Sequence, residues 1–228
     1  GGCRAWPVLG ECPVLRSPRG GRWGGARAGR GATRRGGGGP STAGRGWAEA
    51  GVAVEGGGWI RADEHMRTSR PGVYAVGDAL GPSRIMLAHV AAAEGLCAVR
   101  DCLGHDGRMD YSAVPSGIFT SPEIGCVGLA EAQASEAGRD VRTATFQMRE
   151  LGKAQAMSEL PGTFKIVSDG ATGKVLGVHI AGAHATDLIA EAGLAPRLGA
   201  SVRDHAATIH AHPTLQEGLY EAALSLAE

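Results

Sequence analysis

Thr163-Phe164-Lys165-Ile166-Val167, the turn Asp169-Gly170-Ala171-Thr172-Gly173, and Lys174-Val175-Leu176-Gly177-Val178-His179-Ile180 read as one β-hairpin. Two runs rich in β-branched and aromatic residues flank a link that carries two glycines. Working upstream, Gly117-Ile118-Phe119-Thr120 and Ile124-Gly125-Cys126-Val127 read as strands, Leu129 to Ala137 as a helix stopped by Gly138, and Val141 to Met148 as an alternating strand. Downstream, Ala185 to about Leu198 reads as a helix, followed by a short helix capped by Ser201 and a last one over Thr214 to Ala227. Strands come first and helices after, so residues 112–228 are expected to form an α+β domain, an antiparallel sheet with helices on one face.

Residues 51–111 have a different texture. Val52-Ala53-Val54 and Trp59-Ile60 flank a Gly56-Gly57-Gly58 turn, and Val73-Tyr74-Ala75-Val76 is a short apolar strand that ends at Gly77-Asp78. Residues 86–103 are Ala-rich and free of proline, which predicts a helix. A strand running into Gly-Asp and then a helix is the plan of a nucleotide-binding α/β layer, with the acid at the strand's carboxyl end.

Composition separates residues 1–50 from the rest. They hold 15 of the 38 glycines and nine arginines against two glutamates, and their larger aliphatics are Val8, Leu9, Val14 and Leu15. Such a stretch buries too little apolar surface to offset the entropy of ordering it, and is expected to be a disordered leader or not native to the fold. The neutral chain is therefore a cancellation, +7 over residues 1–50 against −7 over 51–228. An acidic body argues against nucleic acid as partner. No run approaches the ~18 apolar residues of a membrane span, and the Arg-rich leader lacks the apolar core of a secretory signal. Five cysteines, an odd number, do not read as a secreted disulfide framework, so a cytoplasmic location is expected.

The chemistry concentrates in Thr208-Ile209-His210-Ala211-His212-Pro213-Thr214-Leu215-Gln216-Glu217. Pro213 pushes His212 out of the α region, and Thr214 to Glu217 forms a T-x-x-E capping box at a helix entrance. An imidazole beside a carboxylate has a fixed tautomer and suits proton transfer near neutral pH. On spacing alone, Glu217 as a plain cap and His212 as a plain loop residue are equally good readings. Two decoys accompany this run. His205, His210 and His212 invite a metal, but nothing completes the ligand set and no metal site is expected. Cys97 and Cys102 have C-x4-C spacing, yet on a helix they stand ~7.5 Å apart along the axis and ~140° around it, so they should not form a disulfide.

The His210-to-Glu217 run resembles the C-terminal active-site signature of the dihydrolipoamide dehydrogenases, within the flavin-dependent pyridine nucleotide-disulfide oxidoreductases. Four further motifs resemble that family in order: Pro71 to Asp78; Met86-Leu87-Ala88-His89 with Glu94-Gly95; Phe119-Thr120-Ser121-Pro122-Glu123-Ile124 with Val127-Gly128-Leu129; and Gly177 to Gly182 leading into Asp187-Leu188-Ile189.

The resemblance implies that residues 51–111 are the end of an FAD-binding domain and 112–228 the interface domain of a dimer. It assigns Asp78 to the flavin's ribityl chain, and Met86, Leu87, Ala88 and His89 to the flavin's pyrimidine edge. His212 would be the acid/base and Glu217 its orienting partner in oxidising dihydrolipoamide, with electrons passing through a cystine and FAD to NAD⁺. The implied partners are a second copy or another family subunit, and a 2-oxo acid dehydrogenase complex. No G-x-G-x-x-G stands in a strand-to-helix context, and no glycine-flanked redox pair occurs. The resemblance thus reaches the FAD site only in part and does not reach the NAD domain. A chain inactive alone is expected, as a C-terminal portion of such an enzyme. The alternatives are a non-catalytic dimerisation module or a portion of a glutathione- or mercury-type reductase.

Overall fold

In the computed structural model, the structure describes residues 40–42 and 45–227. They divide between Asp110 and Tyr111 into two compact units. No described helix is long and apolar enough to cross a membrane.

The first unit is organised around one long helix, α1 (Ala88–Cys102), and a 3-10 segment, Gly77–Ser83. Its core joins Val52, Ile60, Met66, Ala75, Leu80, Cys97 and Ala98. The packed chain begins upstream of Gly51, because Trp47 lies against this core and Val52 N–H donates to the Trp47 carbonyl. The rest of the leader reading falls largely on residues 1–39 and 43–44, outside the described residues. The expected Val73-to-Val76 strand is replaced by a single bridge between Tyr74 and Arg67, and Val54 pairs singly with Ile60. A strand needs a continuous ladder of neighbours, and each of these runs has one partner residue within its unit.

Asp101, buried on α1, binds this unit's loops: Arg67 grips both its oxygens and Tyr74 Oη donates to Oδ2 at 2.7 Å. The Arg67 fork chiefly, and the Tyr74 hydroxyl next, hold the Asp101 carboxyl below the usual carboxylate range. Cys97 is buried and Cys102 exposed on the same helix, both as free thiols, as the helical spacing required.

The second unit is a five-stranded antiparallel sheet in the order β1-β2-β5-β4-β3: β1 (Ser116–Ile118), β2 (Glu123–Gly128), β3 (Val141–Gln147), β4 (Thr163–Asp169) and β5 (Val175–Gly182). Helices α2 (Glu131–Glu136), α3 (Gly152–Met157), α4 (Ala185–Leu198), α5 (Val202–Ala207) and α6 (Glu217–Ala227) complete it. The β4–β5 hairpin pairs Phe164 with Ile180 and Ile166 with Val178, and Val178 pairs onward with Val127. Paired residues point to one face, so these apolar side chains form a continuous floor. Helices α4 and α6 lie on it, and the core joins Phe164, Ile166, Val178 and Ile180 to Ile189, Leu215 and Leu219.

The opposite face carries Lys165, His179 and Cys126 in register. Part of it is covered by α2, whose Glu131 pairs with Lys165 at 2.5 Å. His179 is buried there, and its Nε2–H donates to the Leu129 carbonyl at 3.2 Å. The six-residue helix α3 has no counterpart in the sequence reading. Ser201 caps α5 as expected, its Oγ accepting from Asp204 N–H.

Candidate active site

The entrance of α6 is set by packing on either side of it. Leu215 and Leu219 are buried, and Gly218 lies so close to Phe164 that a Cβ there would stand 2.3 Å from a ring carbon. These anchors fix Glu217 on the helix's first turn. Regular helix starts at Glu217 rather than at Thr214, because residues 214–216 are spanned by tighter i→i+3 bonds from Gly218 N–H to Leu215 and Leu219 N–H to Gln216. Half of the capping box forms: Glu217 Oε2 accepts from Thr214 N–H at 2.8 Å, while Thr214 Oγ1 donates to the Ala211 carbonyl.

The other carboxylate oxygen, Oε1, accepts from Nδ1–H of His212, also at 2.8 Å. The peptide between His212 and Pro213 is cis. With its proton on Nδ1, His212 presents the Nε2 lone pair outward, and its side chain is 77% exposed against 20% for Glu217. The Thr214 amide chiefly, and His212 next, hold the Glu217 carboxyl below its ordinary range, so it stays ionised. An ionised acid that fixes a tautomer and leaves the far nitrogen open is the arrangement of a general base.

The neighbouring His210 turns elsewhere. Its Nδ1–H donates to the Thr208 carbonyl at 2.9 Å, and its Nε2 lies 2.7 Å from Glu191 Oε1 on α4. His205 Nδ1 lies 3.9 Å from the same oxygen. The three histidines weighed in the sequence are thus divided: His205 and His210 share Glu191, and His212 belongs to Glu217. Glu191 was not singled out in the sequence, since it is 14 residues from His205 and 19 from His210 and nothing local signals the contact. A cleft of about 320 Å³ runs beside this region, lined by Ala206, Thr208, Ile209, His210, Glu217 and Tyr220.

The first unit holds the flavin-side candidates. Gly77, at φ +69°, donates its N–H at 2.6 Å to Glu94, a buried carboxylate of α1. A Cβ on Gly77 would stand 3.0 Å from that of Ala91, so the turn fits closely only with glycine. Glu94 entered the sequence reading as part of a motif, and its grip on the Gly77 amide appears only in the fold. Asp78 follows on this clamped turn, exposed, its carboxylate without a hydrogen bond to another described residue. Met86, Ala88 and His89 are exposed and Leu87 half-buried at the start of α1, where no side chain caps the first amides. An uncommitted carboxylate and an uncapped helix start suit hydroxyl donors and a negatively charged ring edge respectively, so the residues present fit part of a flavin site.

Comparison with known proteins matches each unit. Residues 114–223 match the pyridine nucleotide-disulphide oxidoreductase dimerisation domain, and residues 36–95 match the pyridine nucleotide-disulphide oxidoreductase domain. The dihydrolipoyl dehydrogenase of Thermus scotoductus is 44% identical over 187 residues, 82% of this chain and 40% of that protein. That of Bacillus subtilis is 40% identical over 185 residues, 81% of this chain and 39% of the relative. The chain spans about 40% of the length of these curated relatives. Among solved structures, LpdA from Mycobacterium tuberculosis superposes with a TM-score of 0.77 at 30% identity, over 82% of this chain and 40% of LpdA. The HOCl-induced flavoprotein disulfide reductase RclA from Escherichia coli does so with 0.73 at 25% identity, over 81% of this chain and 42% of RclA. With both of its units matched in family order, the chain belongs to the pyridine nucleotide-disulphide oxidoreductase family.

Proposed function

We propose that this chain supplies the acid–base half of a dihydrolipoyl dehydrogenase active site, with His212 as the base and Glu217 holding it, within an assembly of two subunits. The observation that carries this reading is the 2.8 Å bond from His212 Nδ1–H to the ionised Glu217, which leaves Nε2 open to solvent. Nε2 takes the proton of a substrate thiol and so generates the thiolate that attacks a disulfide. The Glu217 charge stabilises the imidazolium that results, and the Nδ1 bond keeps the ring aimed.

Exposed apolar side chains, Ile209 at 96% and Leu198 at 72%, support a second subunit covering this unit. Asp78 and the Met86-to-His89 turn would contribute to holding FAD, which when bound supplies an acceptor for the electron pair of the dithiol. NAD⁺ as final acceptor and a 2-oxo acid dehydrogenase complex as the setting are what the family resemblance implies, and no residue of this chain carries them.

Mixed dimers test this reading. The chain is combined with a dihydrolipoyl dehydrogenase whose matching histidine has been replaced, and lipoamide-dependent NAD⁺ reduction is followed. Restored turnover with the parent chain, and none with His212→Gln, is expected. Heterodimers that form and stay inactive would overturn the assignment and leave a dimerisation module without catalytic part.

A further inference from the structure

The second unit contains a carboxylate–imidazole cluster that the His212–Glu217 pair does not use. Glu191 comes from α4, His205 from α5, and His210 from the loop that leads to Pro213. One ligand atom of each lies within 4.8 Å of the others. The imidazoles are 7% and 6% exposed, whereas Glu191 is 31% exposed, which leaves an approach from solvent.

The tautomer of His210 makes this cluster more than a chance meeting. Its Nδ1–H donates to the Thr208 carbonyl, so in the neutral ring the Nε2 lone pair points at Glu191 Oε1, 2.7 Å away. A lone pair and a carboxylate oxygen at that distance repel unless a cation, either a proton or a metal ion, stands between them. A backbone carbonyl that fixes the far nitrogen is also the usual outer support of a metal-bound imidazole. His205 stands ready as a third donor, 3.9 Å from the shared oxygen.

We propose that Glu191, His205 and His210 form a binding site for a divalent cation of the zinc class, with water completing the coordination on the exposed side of Glu191. Bonds of ~2.0–2.2 Å in a tetrahedral site separate neighbouring ligand atoms by roughly 3.3 Å. The His210–Glu191 distance then opens by about 0.6 Å, the His205–Glu191 distance closes by about as much, and the two imidazoles, whose ligand atoms lie within 4.8 Å, draw together by up to about 1.5 Å. Two imidazoles and one carboxylate suit Zn²⁺, or Co²⁺ in its place, better than Mg²⁺ or Ca²⁺, which take all-oxygen sites. The site is separate from the proposed acid–base pair and does not depend on it.

The full 228-residue chain is titrated with Zn²⁺ against a chromophoric chelator, and with Co²⁺ by visible absorption. One strong site per chain is expected, with the intense bands of four-coordinate Co²⁺. Glu191→Gln and His205→Asn should each weaken binding at least ~10-fold, the loss of one of three protein ligands, while His212→Gln stays within about twofold of the parent. Thermal melting monitors the fold: Zn²⁺ should raise the parent's Tm and leave that of Glu191→Gln nearly unchanged. Glu191→Gln is close in size to the parent residue and decides the outcome should His205→Asn unfold. Binding by Glu191→Gln at parental affinity, absence of a one-per-chain site, or loss of binding in His212→Gln sinks the proposal.

Discussion

The imidazole of His212 and the carboxylate of Glu217 are joined by a 2.8 Å hydrogen bond, while the same carboxylate is held from its other side by the Thr214 amide. One acid therefore caps a helix and orients an imidazole at once. Glu217 thus accepts from the helix entrance on one oxygen and from His212 on the other, the contact that its proposed role as orienting partner requires.

In mixed dimers containing this chain, His212→Gln should lower lipoamide-dependent turnover by ~10²–10⁴, the usual share of a positioned acid–base group. Glu217→Gln should cost less, because its amide oxygen can still accept from Nδ1–H, although the charge is lost and the NH2 group in place of the second oxygen cannot accept from the Thr214 amide. Steady-state rates of the two variants check this order. Equal and full activity in both would remove His212 from the chemistry.

Gly218→Ala should destabilise the second unit although alanine favours a helix over glycine by ~1 kcal/mol. The added Cβ would sit 2.3 Å from the ring of Phe164, which is fully buried and has no room to retreat. Overpacking of this kind costs about 1–3 kcal/mol. Urea denaturation gives the sign, and a more stable variant would show that the Phe164 ring moves freely.

His179 imposes a pH dependence on the second unit. Burial, chiefly, pushes its pKa below the ordinary 6.5. The unfolded chain takes up a proton below about pH 6.5 that the folded chain refuses, so stability falls as the pH drops, by up to ~1.4 kcal/mol per unit for this one group. His179→Leu removes that uptake but leaves the Leu129 carbonyl without its donor, a cost of about 1–3 kcal/mol. The gap in stability between parent and variant should therefore narrow from pH 7.5 to pH 5. An unchanging gap would mean that His179 is charged in the folded state.

The first unit should respond at lower pH through Asp101. Its carboxyl is depressed by the Arg67 fork first and Tyr74 second, so its contribution is complete above the ordinary aspartate value of ~3.9 and is lost as pH falls through the lower folded value. Arg67→Lys should lower the urea midpoint and reduce this acid slope, because an ammonium cannot grip both oxygens. Equal acid unfolding curves for parent and Arg67→Lys would show that the fork has no share in it.

Much of the second unit was legible in the sequence because its signals are local. The β4–β5 hairpin follows from alternation around a glycine-bearing turn, α4 runs over Ala185–Leu198 as read, and Ser201 caps α5. His212 and Glu217 are five residues apart across a proline, close enough in sequence for their pairing to be weighed, while the packing of Leu215, Gly218 and Leu219 fixes where Glu217 stands. The six-residue α3 is too short for a helical period to stand out. Val73 to Val76 have strand composition but gain one bridge, since strand formation depends on what lies alongside.

By itself, then, the order of residues determined the hairpin and the helix that follows it, for which contacts within a few residues suffice, and it set His212 close to Glu217 in sequence. Only the tertiary structure decided that His210 parts from His212 to join Glu191, that Glu94 clamps Gly77, and that Gly218 meets Phe164. Those contacts join residues 17 to 54 positions apart, where the packing of helices on helices and on the sheet, rather than chain connectivity, selects the neighbour.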